Sequence, residues 1–328
     1  MPGLRSSAHV EVQVLIDNVT DGLSSVPPFV TREFGFLQQR RGMRRLSGEC
    51  LCCANFGLSL IVTAQPDDGG APRCLLFDAG PEGFAVEHNG RRLGVDFAAI
   101  EAVVLSHGHF DHAGGLPRAF ELIHAANGGR AVLCFLHPGM FRERAMRQAD
   151  GGLLPLGHVP TPDALAALGA APVVTTEPQT TLDDLFFVSG EIPRVTSFEF
   201  GLPNQVQRDM AGEWQPDPHM CDERFLAVRL AGRGVLVFTA CSHAGVVNVL
   251  THARACFPDE PLHAVMGGFH LSGEHERIIP ETVRGLGAFG LTHIFPAHCT
   301  GWRAVGALER AYGDAVVVPA SVGKLYSL

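Results

Sequence analysis

Apolar and polar positions alternate along the first third of the chain, a pattern typical of strands that bury one face. We predict strands of this kind at residues 12–16, 58–63 and 74–77. From residue 96 the pattern changes to an apolar strand at 102–105, a histidine-rich loop and a helix over about 114–126. The order strand, loop, helix is the one in which α/β folds present functional groups at the carboxyl ends of strands.

The remainder of the chain repeats this change from strands to helices. Strands are predicted at residues 131–136, 185–189, 194–198, 225–230, 235–239, 262–266, 292–295 and 315–318. Helices are predicted at residues 163–168, after His243, and at 281–289 and 305–312. Two successive β-then-α halves indicate an α/β (α+β) fold, specifically a four-layer αβ/βα sandwich in which two mixed β-sheets are flanked by helices.

The length of 328 residues is compatible with one large domain, which we predict over residues 1–328. Two segments depart from the regular pattern: a loop excursion at about 27–49 and an inserted segment at about 139–180, which is rich in glycine and proline. The first is either a plain surface loop or a lid over substrate. It carries five arginines that are candidate contacts for a phosphorylated ligand: Arg32, Arg40, Arg41, Arg44 and Arg45.

The composition of the chain argues against several classes of binding partner. The formal net charge is −9 and the chain has no run of lysine or arginine, so we expect no nucleic-acid partner. No apolar stretch is long enough for a membrane span, and we expect a cytoplasmic protein with a small-molecule substrate and no membrane partner. The nine cysteines are scattered rather than spaced as a zinc ribbon, which indicates mostly reduced, structural thiols. The sequence leaves a homodimer open.

Four potential metal ligands fall within six residues, directly after an apolar strand. They are His107, His109, Asp111 and His112. Imidazole and carboxylate are ligands that zinc, iron and manganese accept. On a loop, the first two histidines can face one ion while the aspartate and the last histidine face a second position, as two-metal hydrolases require.

The run from His107 to His112 resembles the defining motif of the metallo-β-lactamase superfamily. Other segments extend the resemblance over most of the chain: residues 77–80, 238–243 and 295–298. The resemblance implies that Asp78 orients the histidine loop by hydrogen bonding and that His243 and His298 are metal ligands. It also implies one or two zinc ions as cofactor, with iron and manganese as alternatives.

One strand end departs from the usual pattern of the superfamily, which places a bridging aspartate there. This chain has Cys241-Ser242-His243, so the resemblance implies His243 as the substitute, with Cys241 as a softer alternative. Together with segments 189–194, 222–223, 244–248, 267–271 and 298–301, this replacement resembles the 7,8-dihydropterin-6-yl-methyl-4-(β-D-ribofuranosyl)aminobenzene 5′-phosphate synthase-like subfamily. The residue that completes the first metal site stays open between Asn204 and His219.

These features predict a metal-dependent hydrolase that uses a metal-activated water on a small molecule of phosphorylated, pterin-like or heteroaromatic character. Asp111 would also aim the attacking water, and His270, which follows two glycines after a strand, would protonate the leaving group. The alternatives are a phosphodiesterase or a hydrolytic dehalogenase with the same site. A non-catalytic, metal-dependent ligand sensor is the alternative from another class.

Overall fold

The structure is a computed structural model and describes residues 3–328. Its strands are β1 Ser6–Ile16, β2 Val30–Thr31, β3 Ser59–Pro66, β4 Arg73–Phe77, β5 Ile100–Val104, β6 Val132–Leu136, β7 Arg144–Arg147, β8 Leu153–Pro155, β9 Ala170–Val174, β10 Gln179–Thr181, β11 Phe186–Val188, β12 Gln205–Arg208, β13 Trp214–Pro216, β14 Leu226–Leu230, β15 Gly234–Thr239, β16 Leu262–Gly267, β17 His293–Pro296 and β18 Leu325–Ser327.

The helices are α1 Glu33–Arg41, α2 Gly83–Leu93, α3 Phe110–Ala113, α4 Leu116–Ala126, α5 Pro162–Ala166, α6 Val246–Cys256, α7 Ile279–Leu286 and α8 Trp302–Tyr312. Short 3₁₀ helices lie at Phe97–Ala99, Pro138–Phe141, Gly273–Ile278, Gly287–Phe289 and His298–Thr300. Within residues 3–328, no helix combines the length and the apolar character needed to cross a membrane.

The main run of strands follows the order β17-β16-β15-β14-β1-β3-β4-β5-β6-β9. Its two halves meet at the pairing of β1 with β14, where only Ser6 with Arg229 and Ser7 with Leu230 are in register. Strands β4, β5, β6 and β9 run parallel to one another in one half, as do β15, β16 and β17 in the other. The carboxyl ends of parallel strands therefore line one edge in each half.

Three apolar cores show how the two halves are stacked. Alternation along β4 places Leu75 and Phe77 in a central core that also contains Phe238 and Phe295 from the other half. Leu76, between them, faces the outer core under α2 and α4. A third core lies under α6, α7 and α8. The order is helix, sheet, sheet, helix, and the predicted four-layer sandwich is confirmed.

Several predicted elements differ from the structure. The segment 27–49 contains helix α1, and α2 was not anticipated, because its two glycines and Asn89 lower its intrinsic helix propensity. Helix α2 is stabilised by packing, with Val86 and Leu93 buried in the outer core. Residues 194–198 form a loop rather than a strand, since the Asn248 side chain accepts hydrogen bonds from two of their amides.

The segment 139–180 is integrated into the fold more closely than the term insertion suggests. Strand β9 forms the outer edge of the main run through five paired residues with β6. Strands β7 and β8 join β12 and β13 in a separate four-stranded sheet of order β13-β12-β7-β8. This small sheet matters for function, because Gln205 at the start of β12 contacts a motif histidine.

Candidate metal centre

Four turns that follow strands meet at one edge of the sandwich, and each contains a non-glycine residue with positive φ. The residues are Asp78 (φ 58°), Ser242 (56°), His270 (46°) and His298 (46°). Such conformations cost on the order of 1 kcal/mol each and persist where surrounding contacts fix them, often at functional sites. The residues with strained backbone conformations therefore lie at the same edge of the sandwich as the histidine motif.

Asp78 organises the start of the motif loop. Its carboxylate accepts hydrogen bonds from the amide and the hydroxyl of Ser106, both at 2.7 Å, and its Oδ2 lies 2.7 Å from His112 Nδ1. Because Nδ1 is engaged in this way, the Nε2 atom of His112 faces the centre of the cluster, 3.2 Å from the sulfur of Cys241. Asp78 thus fixes both the loop and one ring.

One group of imidazoles consists of His107, His109 and His243. The centroid distances are 4.9 Å between the first two rings and 4.8 Å from each of these to the third. His107 Nδ1 lies 2.8 Å from the Ser106 hydroxyl, whereas its Nε2 is buried with no hydrogen-bond partner within residues 3–328. Both ring nitrogens of His243 are likewise buried and unpartnered in that part of the chain.

His109 is held from the opposite side by Gln205. Its Nε2 lies 2.6 Å from the Gln205 amide oxygen, and the Gln205 nitrogen donates to Asp217 at 3.2 Å. The expectation that Asn204 or His219 completes the first site is wrong, because both side chains are exposed. Side chains alternate at the start of β12, so Asn204 faces solvent where Gln205 faces inward.

A second group contains Asp111, His112 and His298. The Asp111 carboxylate lies 3.3 Å from His298 Nε2 and 3.7 Å from His112 Nε2. His298 Nδ1 is 2.9 Å from the side-chain oxygen of Asn18, which leaves Nε2 directed inward. Each imidazole of this group is therefore fixed at Nδ1 by an oxygen and presents Nε2 to the carboxylate.

Cys241 lies between the two groups. Its sulfur is within 4.8 Å of ligand atoms of Asp111, His112 and His298, and also of ligand atoms of His107 and His243. The sequence interpretation placed His243 in the position of the missing bridging aspartate, with Cys241 as the alternative. In the structure His243 packs with the first group, and the Cys241 sulfur lies near both groups.

Buried carboxylates hold the backbone on which these ligands lie. Glu223 accepts hydrogen bonds from the amides of His243 (2.7 Å) and Ala244 (2.6 Å). Asp222 accepts from the amide of Gly108 at 2.8 Å and pairs with buried Arg144. No role for these side chains was predicted, although adjacent acidic residues directly before a buried strand were a visible signal.

Burial and neighbouring charges set the protonation of the cluster. Burial holds the pKa of His107 and of His243 well below the usual range and lowers that of His109 to about 4. Burial also disfavours charge on His112, but the carboxylates of Asp111 and Asp78 outweigh it and raise the pKa of His112 to about 9. Three imidazoles are therefore neutral at pH 7 and have lone pairs available.

His270 lies beside the first group, with its ring centroid 4.5 Å from that of His243. Its Nδ1 is buried and unpartnered within residues 3–328. Burial lowers its pKa, but the side chain of Cys299 and nearby acidic groups outweigh this and raise the pKa of His270 overall. The ring can therefore carry a proton next to the cluster.

The donor set fits a divalent metal ion. Buried imidazole nitrogens normally have hydrogen-bond partners. Here Nε2 of His107 and both ring nitrogens of His243 have none within the described chain, and both rings border Cys241, whereas Nε2 of His298 faces the Asp111 carboxylate. Nitrogen, carboxylate oxygen and thiol sulfur are ligands for zinc and related ions.

Removing the carboxylate of Glu223 is expected to weaken metal binding without removing a ligand. In Glu223→Gln, the charge-assisted bonds to the amides of His243 and Ala244 are replaced by weaker ones. Residues that orient ligands typically contribute about 10–100-fold in metal affinity. We expect a loss of that size when a chromophoric chelator competes for the metal.

Glu199→Gln is the matched control, because Glu199 is also a buried carboxylate that accepts two backbone amides, those of Val247 and Asn248 at the start of α6. That variant should lower the melting temperature and leave metal affinity within about twofold. Equal metal affinity in both variants would show that Glu223 supports the fold alone.

Metal affinity is expected to rise with pH over the neutral range. Because the pKa of His112 is about 9 in the metal-free protein, its ring is protonated at pH 7 and must release that proton to bind an ion. Below pH 9, each unit of increasing pH should strengthen binding by at least about tenfold, and above pH 9 the slope should decrease by the contribution of the one His112 proton. Chelator competition between pH 6.5 and 9.5 measures this slope, and no change between pH 7 and 8 would contradict it.

Comparisons with known proteins agree with this geometry. The model of the metallo-beta-lactamase superfamily matches residues 69–197, which include Asp78 and the histidine motif. The 7,8-dihydropterin-6-methyl-4-(beta-D-ribofuranosyl)-aminobenzene-5'-phosphate synthase of Methanocaldococcus jannaschii is 26% identical over 255 residues, covering 76% of this chain and 82% of that protein. The uncharacterized protein MJ0448 of the same organism is 28% identical over 236 residues, covering 72% and 82%.

Among solved structures, Tm1679, a metal-dependent hydrolase of the beta-lactamase superfamily, superposes with a TM-score of 0.69 at 22% identity. The superposition covers 97% of this chain and 98% of that one. The resemblance predicted from the sequence, to the superfamily and to the synthase-like subfamily, is confirmed by these matches.

Proposed function

We propose, from the premise that this chain has the metallo-β-lactamase fold, that it is a metal-dependent hydrolase of a small molecule. The observation that carries the proposal is the set of imidazole nitrogens on His107 and His243 that are buried and have no hydrogen-bond partner within residues 3–328. Neutral, converging nitrogens of this kind are costly in an apolar interior unless they bind an ion. A purely structural cluster would pair them with hydrogen-bond donors.

The proposed ligands form two groups that share one sulfur. His107, His109 and His243 would hold one ion, and Asp111, His112 and His298 a second, with Cys241 between them. The thiol adds a soft ligand to the imidazoles, which favours zinc or iron over manganese. We propose zinc as the cofactor, with one or two ions bound and iron as the nearest alternative.

Each group of the chain has a defined task in the proposed reaction. A bound divalent ion lowers the pKa of water and polarises the substrate at neutral pH. The Asp111 carboxylate, ionised because the nearby imidazoles of His112 and His298 outweigh the effect of burial, accepts a hydrogen bond from the attacking water and orients it. His270, whose pKa is raised, would donate a proton from its ring to the leaving group.

The substrate class follows from the relatives and from charge. The protein carries a net charge of −9, which argues against polymeric nucleic acid and for a small molecule. The named relative is a synthase of a phosphorylated, pterin-containing compound. We therefore propose a phosphorylated or heteroaromatic substrate, and phosphodiester or carbon–halogen hydrolysis are variants of the same proposal.

A second candidate is bond formation rather than hydrolysis at the same centre. It is favoured by one observation: the named relative is called a synthase, and it aligns with 76% of this chain. Both candidates need the same ligands, so they differ in the acceptor group alone. In hydrolysis the acceptor is water, whereas in synthesis it is an amine or carbon nucleophile of the second substrate.

A substrate panel with controlled metal content tests the proposal. Zinc-loaded and chelator-treated protein would be assayed with bis(p-nitrophenyl) phosphate, a lactone, a haloaromatic compound and a dihydropterin carrying an activated 6-methyl group. Metal-dependent release of product in water alone supports the hydrolase. Product that forms only when an arylamine is added supports the synthase.

The sensor alternative has its own outcome in the same experiment. If metal-loaded protein turns over none of the panel while a panel compound raises its melting temperature, the site binds without reacting, and the hydrolase proposal fails.

A further inference from the structure

A cavity of about 490 Å³ lies away from the metal centre, between helix α1, the end of helix α2 and strands β1, β3 and β4. Its volume is within the range of small-molecule sites. Cys74 at the start of β4 lines it, whereas Asp78, directly after the same strand, belongs to the metal cluster. Four residues of extended chain separate these positions by roughly 13 Å, so the cavity is not part of the metal site.

The inner wall of the cavity is apolar and preformed. Ile61, Leu93 and Leu325 line it and are at most 9% exposed, and Phe36 of α1 adds an aromatic side. Helix α1 is fixed in place by Leu37, which packs in the outer core, and by a hydrogen bond from the Cys52 amide to the Glu33 carboxylate at 2.6 Å. A flat apolar group therefore meets a wall that does not need to rearrange.

The rim of the cavity carries one arginine that has no ion-pair partner within residues 3–328. Arg40 lies 3.4 Å from Glu11, so this pair is neutral overall. Arg41 crosses the end of α2, where a methyl group placed on Gly94 would lie 2.2 Å from its guanidinium carbon. No ion pair or side-chain hydrogen bond to Arg41 occurs within residues 3–328, although Asp96 also lines the rim. One guanidinium therefore remains available beside an apolar wall.

We infer that this cavity is a second binding site, which accepts a small aromatic molecule carrying one anionic group. The ring would lie against Phe36, Ile61 and Leu93, and the anion would bind the Arg41 guanidinium. The carboxylate of Asp96 can accept a ring N–H or hydroxyl hydrogen from the same molecule. Arg41, one of the five arginines of the segment 27–49 that were first considered as contacts for the metal-site substrate, thereby serves a separate site.

The test uses 1-anilinonaphthalene-8-sulfonate, an aromatic anion whose fluorescence rises in apolar surroundings. We expect saturable binding of one molecule per chain. Arg41→Gln should weaken it at least fivefold, and Thr63→Phe, which fills the half-buried side of the cavity, should abolish the saturable phase. Arg44→Gln is the matched control, because this exposed arginine of the same segment does not line the cavity, and it should bind within twofold of the parent.

Two results would overturn the inference. Equal dye affinity in Arg41→Gln and in the parent would show that the cation plays no part. Unchanged saturable binding in Thr63→Phe, with a cooperative melting curve, would place the dye elsewhere. Dye binding should be the same in metal-loaded and chelator-treated protein, so the outcome is independent of the proposed hydrolase.

Discussion

Replacing His112 by alanine is expected to abolish metal binding at the second group and to reduce metal-dependent hydrolysis to the background rate. The side chain is fully buried, with Nδ1 held by Asp78 and Nε2 directed at Cys241 and Asp111. Losing it removes a proposed ligand. The effect should therefore exceed the roughly 10–100-fold loss in affinity that residues behind the ligands typically cause.

The variant also leaves two carboxylates, Asp78 and Asp111, in a buried site without their imidazole partner, which is destabilising. His107→Ala separates this effect from ligation, because the only side-chain hydrogen bond of His107 within residues 3–328 is to the Ser106 hydroxyl. We expect both variants to lose metal by elemental analysis while His107→Ala keeps a melting temperature near that of metal-free parent protein. His124→Ala, at an exposed helical position, should retain metal and activity. Full metal content in His112→Ala would refute the assignment.

Replacing Cys241 by serine is expected to have the second largest effect. The sulfur reaches both groups of ligands, so its loss should weaken the binding of both ions rather than one. A serine hydroxyl is a poorer ligand than a thiolate for zinc. We expect metal affinity to fall at least about tenfold, which is the lower end of what ligand-supporting contacts contribute. The second equivalent of metal should lose a different amount of affinity from the first. Titration with a chromophoric chelator resolves the two equivalents.

Cys299→Ser is the matched control for this prediction. The Cys299 thiol is also buried and lies 3.4 Å from the Cys241 sulfur, but within residues 3–328 it is grouped with His270 and Cys241 and with neither motif histidines nor Asp111. It should bind both equivalents with nearly parental affinity. If Cys299→Ser loses metal and Cys241→Ser retains it, the shared ligand is Cys299. If both retain it, neither thiol is a ligand.

The sequence predicted the fold where local pattern and packing agree. Strands such as β4 and β5 are continuous apolar runs, and the motif after β5 is dense enough to be recognised without structure. Helix α2 was missed because its glycines obscure the helical pattern, and only the packing of Val86 and Leu93 against the sheet stabilises it. Intrinsic propensity is a weak guide where tertiary contacts dominate.

Most residues of the candidate site were predicted from the sequence, but the way in which they form two groups was not. The resemblance to the superfamily pointed to His243 and Cys241 at one strand end, yet their two roles depend on which way a turn directs each side chain. Ser242 between them has a φ of 56°, a turn that separates the two side chains. Asn204 and His219 were the candidates for the first site, and the neighbouring Gln205 was not considered, because a shift of one residue along a strand reverses the exposed face.

The supporting carboxylates could not be assigned from sequence, since Asp222 and Glu223 act across gaps of 114 and 20 residues on Gly108 and His243. Such contacts depend on the packing of the two halves, which no local pattern specifies. The same holds for the cavity under α1, which is formed by segments at both ends of the chain.

The central claim is that the converging imidazoles hold metal, and the most direct measurement is elemental analysis of the purified protein combined with an anomalous-scattering map of its crystals. The account predicts a divalent transition metal, with density peaks among His107, His109 and His243 and among Asp111, His112 and His298, on either side of Cys241. Protein that takes up no such metal when zinc is supplied, or binds it away from these residues, would contradict the account.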